Sequence, residues 1–396
     1  MALVDIEVGL SAEEVAVRDT VHRFAEEVMR PAGAALDRLS DPGEVIEADS
    51  VLWEVHSRYQ ELGLEPLEPD PDLAKTARLR FLIAEELGWG DAGLAISFGA
   101  GGFPRLLSRL SGQPELIERF GADGNNEIGC WAITEPDHGS NMLHAGGFGG
   151  SSGKPNCVAR RDGDDYLITG TKAAWVSNGT IATSAALFCA VSDGNGIAGG
   201  GVFLVALDSA GVSRGKPLDK LGQRALNQGE LFFDDVRVPA GYMVAGPEAY
   251  GFMLENVLCL ANAGMGATFV GLSRAALEHA LAYSKERVQG GVAIFEHQSV
   301  KARLFKMFSQ VEASRSLARR AMLYNMTNPP LLQYSVASKV FSTNTAFEVA
   351  SAALQIFGGN GLSVEYPIEK LLRDARAAMI EDGCNDLLSL VGAEKL

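Results

Sequence analysis

The spacing of apolar residues divides this 396-residue chain into three regions of different period. In the first, apolar positions recur every three or four residues, the mark of a helix with one buried face. Ser11 and Glu14 form a capping-box pattern, and Val15, Val21, Phe24, Ala25 and Val28 follow at helical spacing. A helix is predicted over 11–30, ended by Pro31. Further helices are predicted over Val51–Leu62, Leu73–Leu87, Ala92–Gly101 and Phe103–Phe120, with Asp91 as the N-cap of the fourth. Residues 1–125 thus read as an all-α domain.

The period changes near Ile128. Short β-type runs then alternate with turn residues: Ile128–Thr134, Asn156–Arg160, Tyr166–Thr171, Ala185–Ser192, Gly201–Asp208 and Leu231–Val238. Asp162-Gly-Asp-Asp165 reads as a hairpin turn, and Gly146–Gly153 and Gly194–Gly200 as flexible loops. Residues 126–238 read as a small antiparallel β domain. From 239 to 396 the helical period returns, over about 251–288, 296–325, 330–358 and 366–379, with Asn328-Pro-Pro330 as a turn. Long helices with short connections predict an antiparallel bundle. The expected class is α+β, with a ligand site between the domains.

Composition narrows the function. Apolar residues make up 47% and charged residues 21%, which describes a globular protein. A net charge of −16 argues against nucleic acid or an anionic membrane as partner, although a helix terminus can still bind a small anion. The five cysteines are odd in number and lack a CxxC pair, so reduced thiols and a cytoplasmic location are expected. Met1–Leu10 lacks a basic stretch, so no signal peptide is expected. No apolar run reads as membrane-spanning, and the six scattered histidines argue against a metal site.

Candidate chemistry concentrates in Gln355–Asn385. Gly358, Gly359 and Gly361 allow backbone to approach a ligand, and Glu381 and Asp382 stand together before Gly383. A buried acid beside a glycine turn suits proton abstraction, whereas the same tripeptide alone reads as a solvated helix end. Three other stretches bear on the choice. They are Ala132-Ile-Thr-Glu-Pro-Asp-His-Gly-Ser-Asn141, Gly170-Thr-Lys-Ala-Ala-Trp-Val-Ser-Asn-Gly179, and Lys220-Leu-Gly-Gln-Arg224 with Phe233-Asp-Asp-Val-Arg-Val-Pro239. In order and spacing, the four stretches resemble the flavin-dependent acyl-CoA dehydrogenases across nearly the whole chain.

The resemblance implies an N-terminal α-helical domain, a middle β domain and a C-terminal four-helix bundle, with FAD between the β domain and the bundle. It implies that Thr134 touches the isoalloxazine, that Ser140 contacts the pyrophosphate or the thioester, and that Trp175 and Ser177 line the flavin. Arg287, Gln298, Gln355, Gly358 and Gly359 would serve the FAD of a neighbouring subunit, which implies a homotetramer or, alternatively, a dimer. His138 is expected to face solvent. The implied reaction is α,β-dehydrogenation of an acyl-CoA or carrier-protein thioester, with an electron-transferring flavoprotein as acceptor.

Several positions depart from the family pattern. The base is commonly Glu before Gly; here Asp382 precedes Gly383, and Glu381 is a second candidate or a wall of the acyl pocket. Cys384 stands in place of the usual Thr. Asn262 stands where many relatives carry an Arg near the substrate, and Ala261 removes an alternative base. With no arginine in Gly93-Leu-Ala-Ile96, dicarboxyl substrates are disfavoured. An unusual, cyclic or branched acyl group is expected. The alternatives are a flavin oxidase of the same fold, weakened because Leu387–Leu396 has no arginine, and a catalytically silent FAD-binding subunit.

Overall fold

In a computed structural model, all residues are described except 1–5, 8, 65–70, 122–126, 145–154 and 195. The Gly146–Gly153 loop therefore lies outside the described residues. The N-terminal region contains helices α1 (Ala12–Phe24), α2 (Arg30–Asp37), α3 (Val51–Glu61), α4 (Leu73–Gly90), α5 (Ala92–Gly101), α6 (Phe103–Ser111) and α7 (Pro114–Phe120). The capping box forms: Ser11 Oγ accepts from Glu14 N, and the Glu14 carboxylate accepts from Ser11 N.

Pro31 does not end the first helical run. One π-helical turn, Ala25–Met29, joins α1 to α2, and Pro31 sits in the first turn of α2. Proline lacks only an N–H, and a widened turn accommodates its ring without stopping the helix. Phe103–Phe120 is two helices, because Gly112 turns left-handed (φ 65°) and breaks the ladder.

The middle strands are β1 (Gly129–Ala132), β2 (Cys157–Asp162), β3 (Asp165–Ser177), β4 (Ser184–Ser192), β5 (Ile197–Ala206), β6 (Val212–Arg214), β7 (Gln228–Pro239) and β8 (Met243–Ala245). They form one sheet in the order β6-β7-β3-β2-β4-β5-β8, with β1 also beside β4. The sheet is antiparallel except that β4 pairs in parallel with both β1 and β2. The Gly194–Gly200 segment is partly strand, since β5 begins at Ile197. β3 runs six residues past its predicted end and carries two register shifts, the second between Lys172 and Val176. Such bulges re-aim side chains.

The C-terminal region contains α8 (Tyr250–Glu286), a small hairpin of β9 (Val288–Gln289) and β10 (Val292–Ala293), and helices α9 (Gln298–Thr327), α10 (Leu332–Phe357), α11 (Ile368–Ala378) and α12 (Asn385–Ala393). α8 corrects one sequence expectation: it is long and apolar enough to cross a membrane by length and composition. Its most apolar window is 83% buried inside the protein, so the fold itself covers that surface. α8 packs on α4, α9 and α10, and its end carries Tyr283, which stacks on Phe357 at the end of α10 (centroids 4.1 Å apart).

The three regions are stitched together by charge. Lys370 on α11 donates to Asp91, the N-cap of α5, and to Asp374, each at 2.6 Å. Asp374 accepts from the backbone of Gln223, while Arg224 donates to the carbonyls of Asp37 and Leu39. The third sequence motif, Lys220–Arg224, thus acts as the joint between all three regions.

Candidate active site

A cavity of about 1840 Å³ lies where the regions meet. One wall comes from α3–α6, including Tyr59, Ile83 and Ile96; a second comes from β-domain loops; the third comes from α8 and the α11–α12 turn. Thr134, Ser140, Trp175, Ser177, Glu381, Asp382 and Gly383 all line it. Residues separated by about 250 positions in sequence therefore share one chamber.

Trp175 is not a core residue: it is 62% exposed and lies on the cavity wall. The second bulge in β3 buries Lys172 and Val176 and leaves the indole free. Ser177 Oγ accepts from Gln228 Nε2 at 3.2 Å, and Gln228 in turn accepts from Lys220 Nζ at 2.9 Å.

The Thr134 loop is held by a fully buried ion pair that the sequence pattern did not single out. Lys172 Nζ donates to Glu135 Oε1 at 2.7 Å and to the Ile133 carbonyl at 3.0 Å. Glu135 Oε2 also accepts from Asn156 N at 2.6 Å. With both flanking residues anchored, Thr134 has little freedom to move. His138 corrects the expectation of a solvent-facing histidine: it is 7% exposed, because Glu135 and His138 exchange backbone hydrogen bonds and fold the loop onto itself.

The acidic turn rests on a second buried cation. Lys339 on α10 is fully buried and donates to the Gly383 carbonyl at 2.7 Å and to Asn385 Oδ1 at 2.8 Å. Asn385 donates onward to Thr343 and Asn344, both at 3.0 Å. Asp382 (φ 49°) and Gly383 (φ 99°) are both left-handed, so the chain reverses sharply here. A Cβ at Gly383 would come within 2.7 Å of Leu143 and 2.9 Å of Leu388, which explains the glycine. From the opposite side, Ser140 Oγ accepts from Cys384 N at 3.0 Å. The serine loop and the acidic turn are thus one unit. Ser140→Ala leaves that amide without its acceptor and is expected to lower stability by roughly 1 kcal/mol in a urea titration.

Electrostatics separates the two acids. Burial pushes the Asp382 carboxyl up to about 6, with the Lys339 ammonium opposing. Burial pushes Glu381 up to about 7, opposed by Lys220 and Gln223 and reinforced by Asp382. Burial also brings Lys220 and Lys339 down to about 8 each, against the pull of these acids. A group that titrates near neutrality can take and release a proton.

Asn262 departs from its expected place. It is fully buried, donates to the Leu258 carbonyl of its own helix, and does not line the cavity. On α8 the cavity faces Leu260, Ala261, Gly264, Met265 and Thr268, and the helical rotation turns residue 262 away. Arg287, Gln298, Gln355, Gly358 and Gly359 also lie outside the cavity. They are exposed at the end of the bundle where Tyr283 meets Phe357. Gly358 has φ 61°, and a Cβ added at Gly359 would meet nothing within 4 Å. This end is an open, glycine-flanked surface of the chain.

Sequence profiles described as "Acyl-CoA dehydrogenase, middle domain" and "Acyl-CoA dehydrogenase, C-terminal domain" match residues 130–236 and 253–396. Cyclohexane-1-carbonyl-CoA dehydrogenase of Geobacter metallireducens is 30% identical, with 98% of each chain covered. The short-chain specific acyl-CoA dehydrogenase of Clostridium acetobutylicum is 29% identical over 98% of this chain and 99% of its own. Among solved structures, butyryl-CoA dehydrogenase from Megasphaera elsdenii superposes with a TM-score of 0.84 at 26% identity, covering 98% of this chain and 99% of that one. Three regions in the same order, a shared chamber between them and full-length similarity agree: the chain belongs to the acyl-CoA dehydrogenase family of oxidoreductases.

Proposed function

We propose that this protein is an FAD-dependent dehydrogenase of acyl-CoA thioesters, with Asp382 as the base that removes the α proton. The observation that carries the reading is Asp382 itself: a cavity-lining carboxyl, raised toward neutrality, on a turn clamped by Lys339 and Ser140. The chamber fits a flavin dinucleotide and a thioester together, since ordinary ligand pockets span about 300–1,000 Å³. Trp175 offers its indole face to the ring, and Thr134 and Ser177 offer hydroxyls to its polar edge. Arg287, Gln298, Gln355, Gly358 and Gly359 reach no part of this chain's chamber, which supports their serving the dinucleotide of a second copy in a dimer or tetramer.

FAD, when bound, supplies the acceptor for the hydride that leaves the β carbon. Asp382 takes the α proton. The Asp382 backbone N–H would hydrogen-bond the thioester oxygen as it gains charge, whereas the Glu381 N–H is spent on the Ala377 carbonyl. The apolar walls exclude water, and the short Asp arm requires the α carbon to sit close to the turn. An electron-transferring flavoprotein is the proposed final acceptor.

Only the ionised Asp382 accepts a proton, so activity is lost as pH falls through the value near 6. A kcat/KM profile with an acidic limb at about 6 is expected, and a rate flat down to pH 4.5 would remove Asp382 from the role. Reoxidation assays test the redox assignment. Substrate-reduced enzyme reoxidised by an electron-transferring flavoprotein and slowly by air supports a dehydrogenase; rapid reoxidation by air alone supports an oxidase.

A further inference from the structure

The chamber extends well past the reacting groups. Lys75, Thr76, Leu79, Ile83, Ala84 and Leu87 all line it, and their spacing puts them on one face of α4. At about 1.5 Å per residue, that face follows the chamber for about 18 Å. Its first turn is polar: Arg80 lies there too, and Lys75 pairs with Glu13 at 2.8 Å. Leu79, Ile83, Ala84 and Leu87 make the remainder apolar, and Tyr59 and Leu62 add to the same wall. The flavin ring is assigned to Trp175, Thr134 and Ser177 in the β domain, so this groove has no occupant in the reaction above.

Two glycines widen the same space. Gly99 and Gly264 lie inside α5 and α8, although glycine is a poor helix former. Both line the chamber, neither has a left-handed backbone, and a Cβ at either would meet nothing within 4 Å. No turn and no close approach of backbone calls for them. What the missing side chains do is keep the chamber open.

We infer that the acyl group of the substrate is a long alkyl chain laid along the α4 face. The inference rests on the proposed function and names its substrate class. In an extended chain three bonds span roughly 3.5 Å, so about 15 bonds fill the groove, a chain of about 12–16 carbons. A four-carbon chain covers only about 5 Å and leaves the rest of an apolar groove to water. A polar group set among Leu79, Ile83 and Leu87 loses its water without gaining a partner, whereas methylenes gain contacts there.

The test compares butyryl-, octanoyl-, dodecanoyl- and hexadecanoyl-CoA with cyclohexane-1-carbonyl-CoA, all below the concentrations at which they form micelles. kcat/KM is measured on the FAD-loaded wild type, and Kd on Asp382→Asn, which removes turnover. Each buried methylene strengthens binding by up to about fourfold. Affinity is therefore expected to rise through dodecanoyl-CoA, with hexadecanoyl-CoA preferred over butyryl-CoA by roughly 100-fold or more in both measurements. Ile83→Phe and Gly99→Leu put bulk into the groove, and Gly99→Leu also favours its helix. Each is expected to lower the hexadecanoyl-to-butyryl ratio by about tenfold or more, with flavin content kept. An optimum at butyryl- or cyclohexane-1-carbonyl-CoA, or no gain in affinity beyond octanoyl-CoA, would overturn the inference. So would variants that shed FAD while the ratio holds, because that assigns the groove to the cofactor. Reduction of the flavin by any of these thioesters supports the dehydrogenase reading separately from chain length. Reduction by none refutes that reading, while the Kd series still decides what the groove holds.

Discussion

Asp382→Asn is expected to lower flavin reduction by thioesters about 10²- to 10⁴-fold, the range by which a positioned general base accelerates proton transfer. Asparagine keeps the size and the left-handed backbone tendency of the residue, so the turn at φ 49° survives. Flavin binding and thioester binding should therefore stay close to wild type, and the loss should appear in the rate of reduction. Stopped-flow mixing separates these quantities. The companion variant Asp382→Glu lengthens the arm by about 1.5 Å and restores the more usual family residue. It should retain proton abstraction while favouring acyl groups that place the α carbon further from the turn. If Asp382→Asn reduces its flavin as fast as wild type, the base lies elsewhere.

The second large effect is expected at Lys339. Lys339→Met leaves the Gly383 carbonyl and Asn385 Oδ1 without their buried donor. Leaving a buried acceptor unpaired typically costs about 1–3 kcal/mol, which a denaturant titration would read as a lower midpoint. The pH profile gives a readout that loss of packing does not. The Lys339 ammonium opposes the effect of burial on Asp382. Without it the acid rises above about 6, and the acidic limb of kcat/KM moves to higher pH. Lys339→Arg keeps a cation under the turn and should return the limb toward its wild-type position even if stability is only partly restored.

The layout of the fold was legible because its periods differ: a repeat of three to four residues, then two, then three to four again. Boundaries were harder where one residue's local preference competed with packing. Pro31 reads as a stop, yet a π-helical turn carries the helix through it. α12 was not anticipated, since it begins directly after the Gly383 turn with no capping side chain. For the site, the motif register pointed to Thr134, Ser140, Trp175, Ser177 and Asp382, and all five line one chamber. Asn262 stays off that chamber, because a one-residue step on a helix rotates a side chain by about 100° and out of the wall. Lys172 and Lys339 were invisible because a lysine in a sequence reads as surface; only the fold shows two ammonium groups buried beneath the two cavity-lining loops. Asp91 could be read as a cap from sequence, while its ion pair with Lys370, 279 positions away, could not.

The central claim is that one chamber joins a flavin, an acyl thioester and the Asp382 carboxylate. Anaerobic titration of the FAD-loaded protein with cyclohexane-1-carbonyl-CoA and with straight- and branched-chain acyl-CoAs tests it directly, with the flavin's visible absorption and the thioester's mass followed together. Bleaching of the flavin with loss of two hydrogens from at least one thioester, abolished in Asp382→Asn, is the predicted result. A protein that cannot be loaded with FAD, or one that holds FAD and is reduced by none of the thioesters, would contradict the account.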